Sequence, residues 1–149
     1  MPEKKTVERA RRDARERKSP STQAGEFVRE EIEHVREGKH GARNTKQAIA
    51  IGLSKARRAG IKLPPPKSGS EETKAQARRD TKKGESGSHK TSAARSRATT
   101  HALKREGHEA ASRGALARHA RSSARHRTSE SRSRAARKAA RTRARHWPE

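Results

Sequence analysis

Apolar residues are sparse along this chain, and only between residues 21 and 63 do they recur with the period of a folded helix. Phe27, Val28, Ile32 and Val35 fall at the spacings of one helical face, and Gly38 is placed to stop that helix. A short loop, 39–43, leads to Asn44, with Gln47 three residues on, which reads as a capping box. The next helix carries Ile49, Leu53 and Ala56 on one face, with Ala48, Gly52 and Ala59 beside it. Gly60 is suited to the left-handed position after the last turn, Ile61 to folding back as its hydrophobic partner, and Pro64-Pro65-Pro66 closes the unit. Two amphipathic helices joined by such a loop predict an antiparallel hairpin over residues 20–63, with Phe27, Ile32, Val35, Ile49 and Leu53 as its core.

The flanking segments lack that pattern. Residues 1–19 hold eight Lys/Arg and four acids, and the pairs Glu8/Arg12 and Asp13/Arg17 support a charged N-terminal helix or arm. Residues 64–90 read as a Pro/Gly/Ser/Lys linker, with a transient helix over 71–83. Residues 91–149 form a basic tail of Ala, Arg, Ser and His with little else. The fold expected is mostly α with extensive disorder: a small helical hairpin plus isolated or transient cationic helices, and no single large core.

Composition supports that expectation. Of 149 residues 26% are hydrophobic, Phe27 and Trp147 are the aromatics, and the formal net charge is +23. Little apolar surface is thus available against a cost of about 1–2 kcal/mol for ordering each backbone residue. A charge of this size attracts polyanions, and nucleic acid is the densest of these. No run of about 18 apolar residues suggests a membrane span, and the charged start lacks the apolar stretch of a signal peptide. An intracellular, cytoplasmic protein associated with the nucleoid is expected, with no membrane partner.

The chemistry concentrates at the end of the chain. From residue 110 onward there are twelve Lys/Arg, eleven of them Arg, against Glu130 and Glu149. On a helix at about 100° per residue, Arg134, Arg137, Lys138, Arg141 and Arg145 share roughly a 100° sector. Alanines 135, 136, 139, 140 and 144 take the other side, interrupted by Arg132 and Arg143. One face can meet a row of phosphates while the alanine face lets the backbone approach a groove floor. Arg suits phosphate through paired hydrogen bonds and can also reach guanine edges. Arg118, Arg121 and Arg125 repeat the spacing one segment earlier. The pattern broadly resembles the basic region of bZIP proteins, but lacks that family's Asn before the Ala pair and has no following zipper.

No catalytic constellation is present: Cys and Tyr are absent, and Asp occurs at 13 and 80. The histidines at 34, 40, 89, 101, 108, 119, 126 and 146 contain no i,i+4 pair, so neither a metal site nor a cofactor is expected. Their expected role is as extra phosphate donors. The Ser129-to-Arg134 stretch reads as a short Ser/Arg tract whose phosphorylation would weaken polyanion binding.

Gly25-Glu26-Phe27-Val28, Arg36-Glu37-Gly38-Lys39-His40-Gly41 and the run from Thr45 to Gly60, TKQAIAIGLSKARRAG, resemble an uncharacterised family of small basic bacterial proteins across residues 25–63. The ending Ala135-Ala136-Arg137-Lys138-Ala139-Ala140-Arg141-Thr142-Arg143 is similar to tails of small bacterial proteins loosely described as DNA-binding or plasmid-stabilising. The resemblance implies a bacterial source and, the family having no established activity, brings no mechanism.

The sequence therefore reads as a non-enzymatic, largely sequence-independent DNA-binding protein. RNA, for example ribosomal RNA, is the alternative polyanion. Self-association or a protein partner docking on the 20–63 hairpin is the alternative of a different class. Glu26, Glu30, Glu31, Glu33 and Glu37 bear on that choice: a helix carrying them repels DNA and must face protein, solvent or the basic tail.

Overall fold

The computed structural model describes residues 1–87 and 90–146, and these form seven α-helices and one short 3-10 turn. In chain order they are α1 (Lys4–Arg15), α2 (Pro20–Arg36), α3 (Thr45–Arg58), α4 (Glu71–Glu85), α5 (Ala93–Lys104), the 3-10 turn Glu109–Ala111, α6 (Arg113–Arg125) and α7 (Ser129–His146). The chain divides into a unit spanning Met1–Ser112 and a second beginning at Arg113.

Local chemistry sets the helix ends of the first unit. Pro20 occupies the first turn of α2, where a missing N–H costs nothing. At the start of α3 the Gln47 N–H donates to Asn44 Oδ1 at 2.9 Å, while Gln47 Oε1 accepts from the Arg43 N–H at 2.6 Å, one residue earlier than a standard capping box. At its end the Gly60 and Ile61 N–H groups donate to the Arg57 and Ala56 carbonyls. This is a Schellman motif, with Gly60 at φ +92° and Ile61 packed on the cluster that contains Ala56.

α2 packs against both α1 and α3, and α3 in turn carries α4. Ala10 of α1, Ala24 and Phe27 of α2 and Ala56 of α3 meet in one cluster, flanked by Val7, Leu53, Ile61 and Leu63. Gly52 lies so close to α2 that a Cβ there would sit 2.6 Å from Val28 Cα. With Ala56 near Ala24, that contact makes α2 and α3 antiparallel. The buried Arg57 side chain donates to the Leu63 and Pro64 carbonyls at 3.3 and 3.2 Å and draws the chain leaving α3 back along the helix.

The expectation of extensive disorder, with a small hairpin, isolated or transient helices and no single large core, is overturned by this packing. The described residues are helical through most of their length, and α1 to α4 bury side chains against one another. Hydrophobic content misled because eight of the eleven buried apolar residues described are alanine. Alanine offers little area, but it lets backbones approach closely, so dispersion contacts accumulate along whole helices. Ile49 and Leu53, expected in the core, are only half-buried; Ala24, Ala48 and Ala56 take the interior positions.

Two further placements differ from the sequence reading. Residues 71–85, read as linker with a transient helix, form α4, docked through Ala77 and Asp80. Ser54 Oγ, Arg58 Nε and Gln76 Nε2 donate to the Asp80 carboxylate at 2.7, 2.8 and 3.1 Å. Burial pushes the Asp80 pKa up, but these donors and the Arg58 charge outweigh it and hold the group below its ordinary value. Residues 103–112, read as tail, belong to the first unit. Gly41 and Ala42 N–H groups donate to the Leu103 and Gly107 carbonyls, His108 Nδ1 to Val35 O, Arg36 Nε to Ala111 O, and Thr45 Oγ1 to Ala110 O. α5 itself has no buried residue.

Two expectations follow. Gly52→Ala should destabilise by about 1–3 kcal/mol, because the new methyl meets backbone that cannot yield, whereas Gly25→Ala on the open side of α2 should be neutral or stabilising by up to about 1 kcal/mol; urea midpoints measure both. Asp80, with its pKa lowered on folding, contributes stability that is complete above its unfolded value of about 3.9 and is lost as pH falls through the folded one. Acid titration of the melting temperature should therefore cost the wild type more than Asp80→Asn below about pH 4.

Candidate nucleic-acid interface

The two units handle charge differently. In the first, each of the five glutamates of the α2 segment has a cation beside it. Glu26 faces Arg9 of α1 at 3.8 Å, and Glu33 and Glu37 pair with Arg29 and Lys39. Glu30 accepts from the Glu3 N–H at 3.1 Å and lies 3.5 Å from Lys55 Nζ. Glu31, 1% exposed, lies 2.6 Å from Lys55 Nζ and 3.0 Å from His40 Nε2. The acidic helix thus turns its charge toward basic neighbours in its own unit.

The second unit has almost no such compensation. Arg118, Arg121 and Arg125 stand on α6, and Arg132, Arg134, Arg137, Lys138, Arg141, Arg143 and Arg145 on α7; all ten are exposed. Among the described residues one ion pair involves them, Arg134 with Glu130 at 3.9 Å, both side chains well exposed. Thr128 caps α7, its Oγ1 accepting from the Ser131 N–H at 3.1 Å, and Arg127 donates to Ser131 Oγ and O. Helical geometry over 129–146 keeps Arg134, Arg137, Lys138, Arg141 and Arg145 on one face. Alanine carries this helix in spite of like charges at i,i+3 and i,i+4, each costing about 0.2–0.5 kcal/mol. Trp147, the His89 ring and the His146 side chain, considered as stacking or phosphate-donor groups, lie outside the described residues.

One group of side chains escaped sequence reading. His34 and His40 are six apart with a helix end between them, and the fold sets their rings edge-on at 6.1 Å beside buried Glu31. Glu3 Oε1 accepts from His34 Nε2 at 2.9 Å and from Lys39 Nζ at 3.2 Å, and these contacts hold its carboxyl below the ordinary range. The i,i+3 spacing of Glu31 and His34 was the only local signal; His40 joins them through the turn at Gly38.

Residues 4–68 match a family of unknown function (DUF6496). The match begins at α1, so it takes in all three helices that share the Ala10–Phe27–Ala56 cluster, more than the hairpin segment 25–63 in which the likeness was read. No curated protein and no solved structure matches the chain. No described helix is long and apolar enough to cross a membrane.

Proposed function

We propose that the protein is a non-enzymatic DNA-binding protein of the nucleoid-associated kind, which engages phosphates through α6 and α7 with little dependence on sequence. The observation that carries this reading is the separation of charge. Most acids of the first unit, among them all five glutamates of the α2 segment, lie at ion-pair distance from its own cations, whereas twelve Lys/Arg of the second stand against two acids. Cations held at i,i+3 and i,i+4 on one helix face repel one another, and a row of phosphates removes that cost while releasing condensed counterions.

Duplex DNA is favoured over RNA by the shape of α7. Its arginine face is backed mainly by alanines, so the helix can lie close to a groove floor. The major groove of B-DNA admits an α-helix, while that of A-form RNA is too deep and narrow. Arg132 and Arg143, on the opposite side, remain available to flanking phosphates. Paired guanidinium geometry makes arginine the better choice than lysine for such contacts. Capture of partners from a lysate with separate DNase and RNase arms tests the choice: loss on DNase supports the reading, loss on RNase moves it to RNA, and survival of both turns it to protein.

The phosphate mechanism makes a quantitative prediction. Affinity for a duplex should fall with salt at a log–log slope of roughly −5 to −8, as about five to nine contacts at −0.9 each require. Arg137, Arg141 and Arg145 replaced together by Ala should flatten that slope by up to about 3 units and weaken unrelated sequences alike. Titrations at several salt concentrations measure this; a salt-insensitive affinity, or a triple variant that spares one sequence, would refute it.

A further inference from the structure

We propose that Glu31, His34 and His40 form a binding site for a divalent transition-metal ion of the zinc class. Their ligand atoms all lie within 4.8 Å of one another, with Glu31 buried and the histidine side chains each 13% exposed. Two imidazoles and one carboxylate are a three-ligand set that zinc accepts, with the fourth position left to water.

The hydrogen bonding around the site points the same way. His40 Nδ1 lies 3.0 Å from the Gly41 carbonyl oxygen. A carbonyl can only accept, so Nδ1 carries the proton and the neutral ring presents a lone pair at Nε2. That lone pair faces Glu31 Oε1 at 3.0 Å, itself an acceptor. Two acceptors at this distance require something between them: a proton, on His40 or on the Glu31 carboxyl, or a metal ion bound by both atoms. Glu31 favours the metal. Both its oxygens are buried, and neither forms a hydrogen bond of acceptable geometry, although His40 and Lys55 nitrogens lie at ion-pair distance. Lys55 sits on Oε2 at 2.6 Å, which leaves Oε1 for the ion.

The surrounding groups match the outer partners of metal sites. Metal-bound histidines usually give their second ring N–H to a carbonyl or a carboxylate. Here His40 gives its own to the Gly41 carbonyl and His34 gives Nε2–H to Glu3, so that Nδ1 of His34 is the nitrogen left for an ion. The ion would join the last turns of α2 to the 37–43 loop, the loop on which Leu103 and Gly107 dock. Its role is therefore to fix that junction.

This inference is independent of nucleic-acid binding and is tested on the full-length chain without a histidine tag. Zn2+ by calorimetry should bind at one equivalent, and Co2+ should give the visible absorption of a four-coordinate N/O site. Zn2+ should also raise the melting temperature. His40→Asn and His34→Gln should each weaken binding at least about tenfold and abolish the thermal shift, while His119→Asn and His126→Asn should change neither. A wild type that takes up no Zn2+ overturns the proposal, and so does one whose binding survives His40→Asn or falls with His119→Asn. Should His40→Asn not fold, the histidine ring 15N signals of the wild type decide: Zn2+ must shift those of His34 and His40, and shifts confined to other rings place the ion elsewhere.

Discussion

The structure of the first unit depends on carboxylates of α2 meeting cations of the elements around it. Glu31 and Glu30 are almost wholly buried, and Lys55 reaches both from α3. Buried ion pairs add little net stability, because desolvation offsets most of the attraction, yet removing one partner costs about 3–5 kcal/mol by stranding the other. Such pairs act mainly by forbidding alternatives. A helix set whose buried contacts are made mainly by alanine has many near-equivalent ways to pack, since one alanine face fits another almost regardless of register. An arrangement that left Glu31 away from Lys55 would bury an unmatched charge. With Gly52 closed on Val28 and Ala56 on Ala24, the pairing selects one antiparallel register.

This use of acids inside the first unit shapes the whole distribution of charge. Asp80 joins Arg58 across α3 and α4, Glu106 joins Arg43 across the docked 103–112 segment, and Glu26 joins Arg9 across α1 and α2. Each carboxylate so placed neutralises a cation that would otherwise contribute to self-repulsion. The net charge of +23 therefore overstates the repulsion that the packed helices experience. It understates, relative to length, the excess carried by α6 and α7, where arginine has no carboxylate supply beyond Glu130 and Glu149.

Much of the helical pattern was legible in the sequence. The Asn44 and Gln47 pair, the Gly60–Ile61 ending and the stop near Gly38 are local signals, and each sits at a helix end here. What could not be read was tertiary. Alanine-lined faces look too weak to pack when area alone is weighed, and α4 offered only Ala77 and a buried Asp80 whose partners lie 22 and 26 residues upstream. Docking of residues 103–112 is made by backbone carbonyls, which carry no sequence signature. The five glutamates were expected to turn toward protein, solvent or the basic tail; that they meet Arg9, Arg29, Lys39 and Lys55 required the fold. The cationic face of α7 was legible because it needs nothing but helical periodicity. The Glu31–His34–His40 group was not, since a turn, rather than a repeat, brings His40 to it.

Alanine and arginine serve opposite ends in the two units, and the presence of acid decides which. On α1 and α3 the alanines close against α2 because its glutamates neutralise the cations flanking the contact. α7 has the same two residue types, but its five-cation face finds one distant glutamate among the described residues. For that face to be matched within a protein, a neighbour would need a row of carboxylates at helical spacing. α2 has such a row, and it is already engaged by α1, α3 and the 37–43 loop. On the proposed reading, the partner that compensates α7 lies outside the chain and presents negative charge at regular intervals, as a phosphate backbone does.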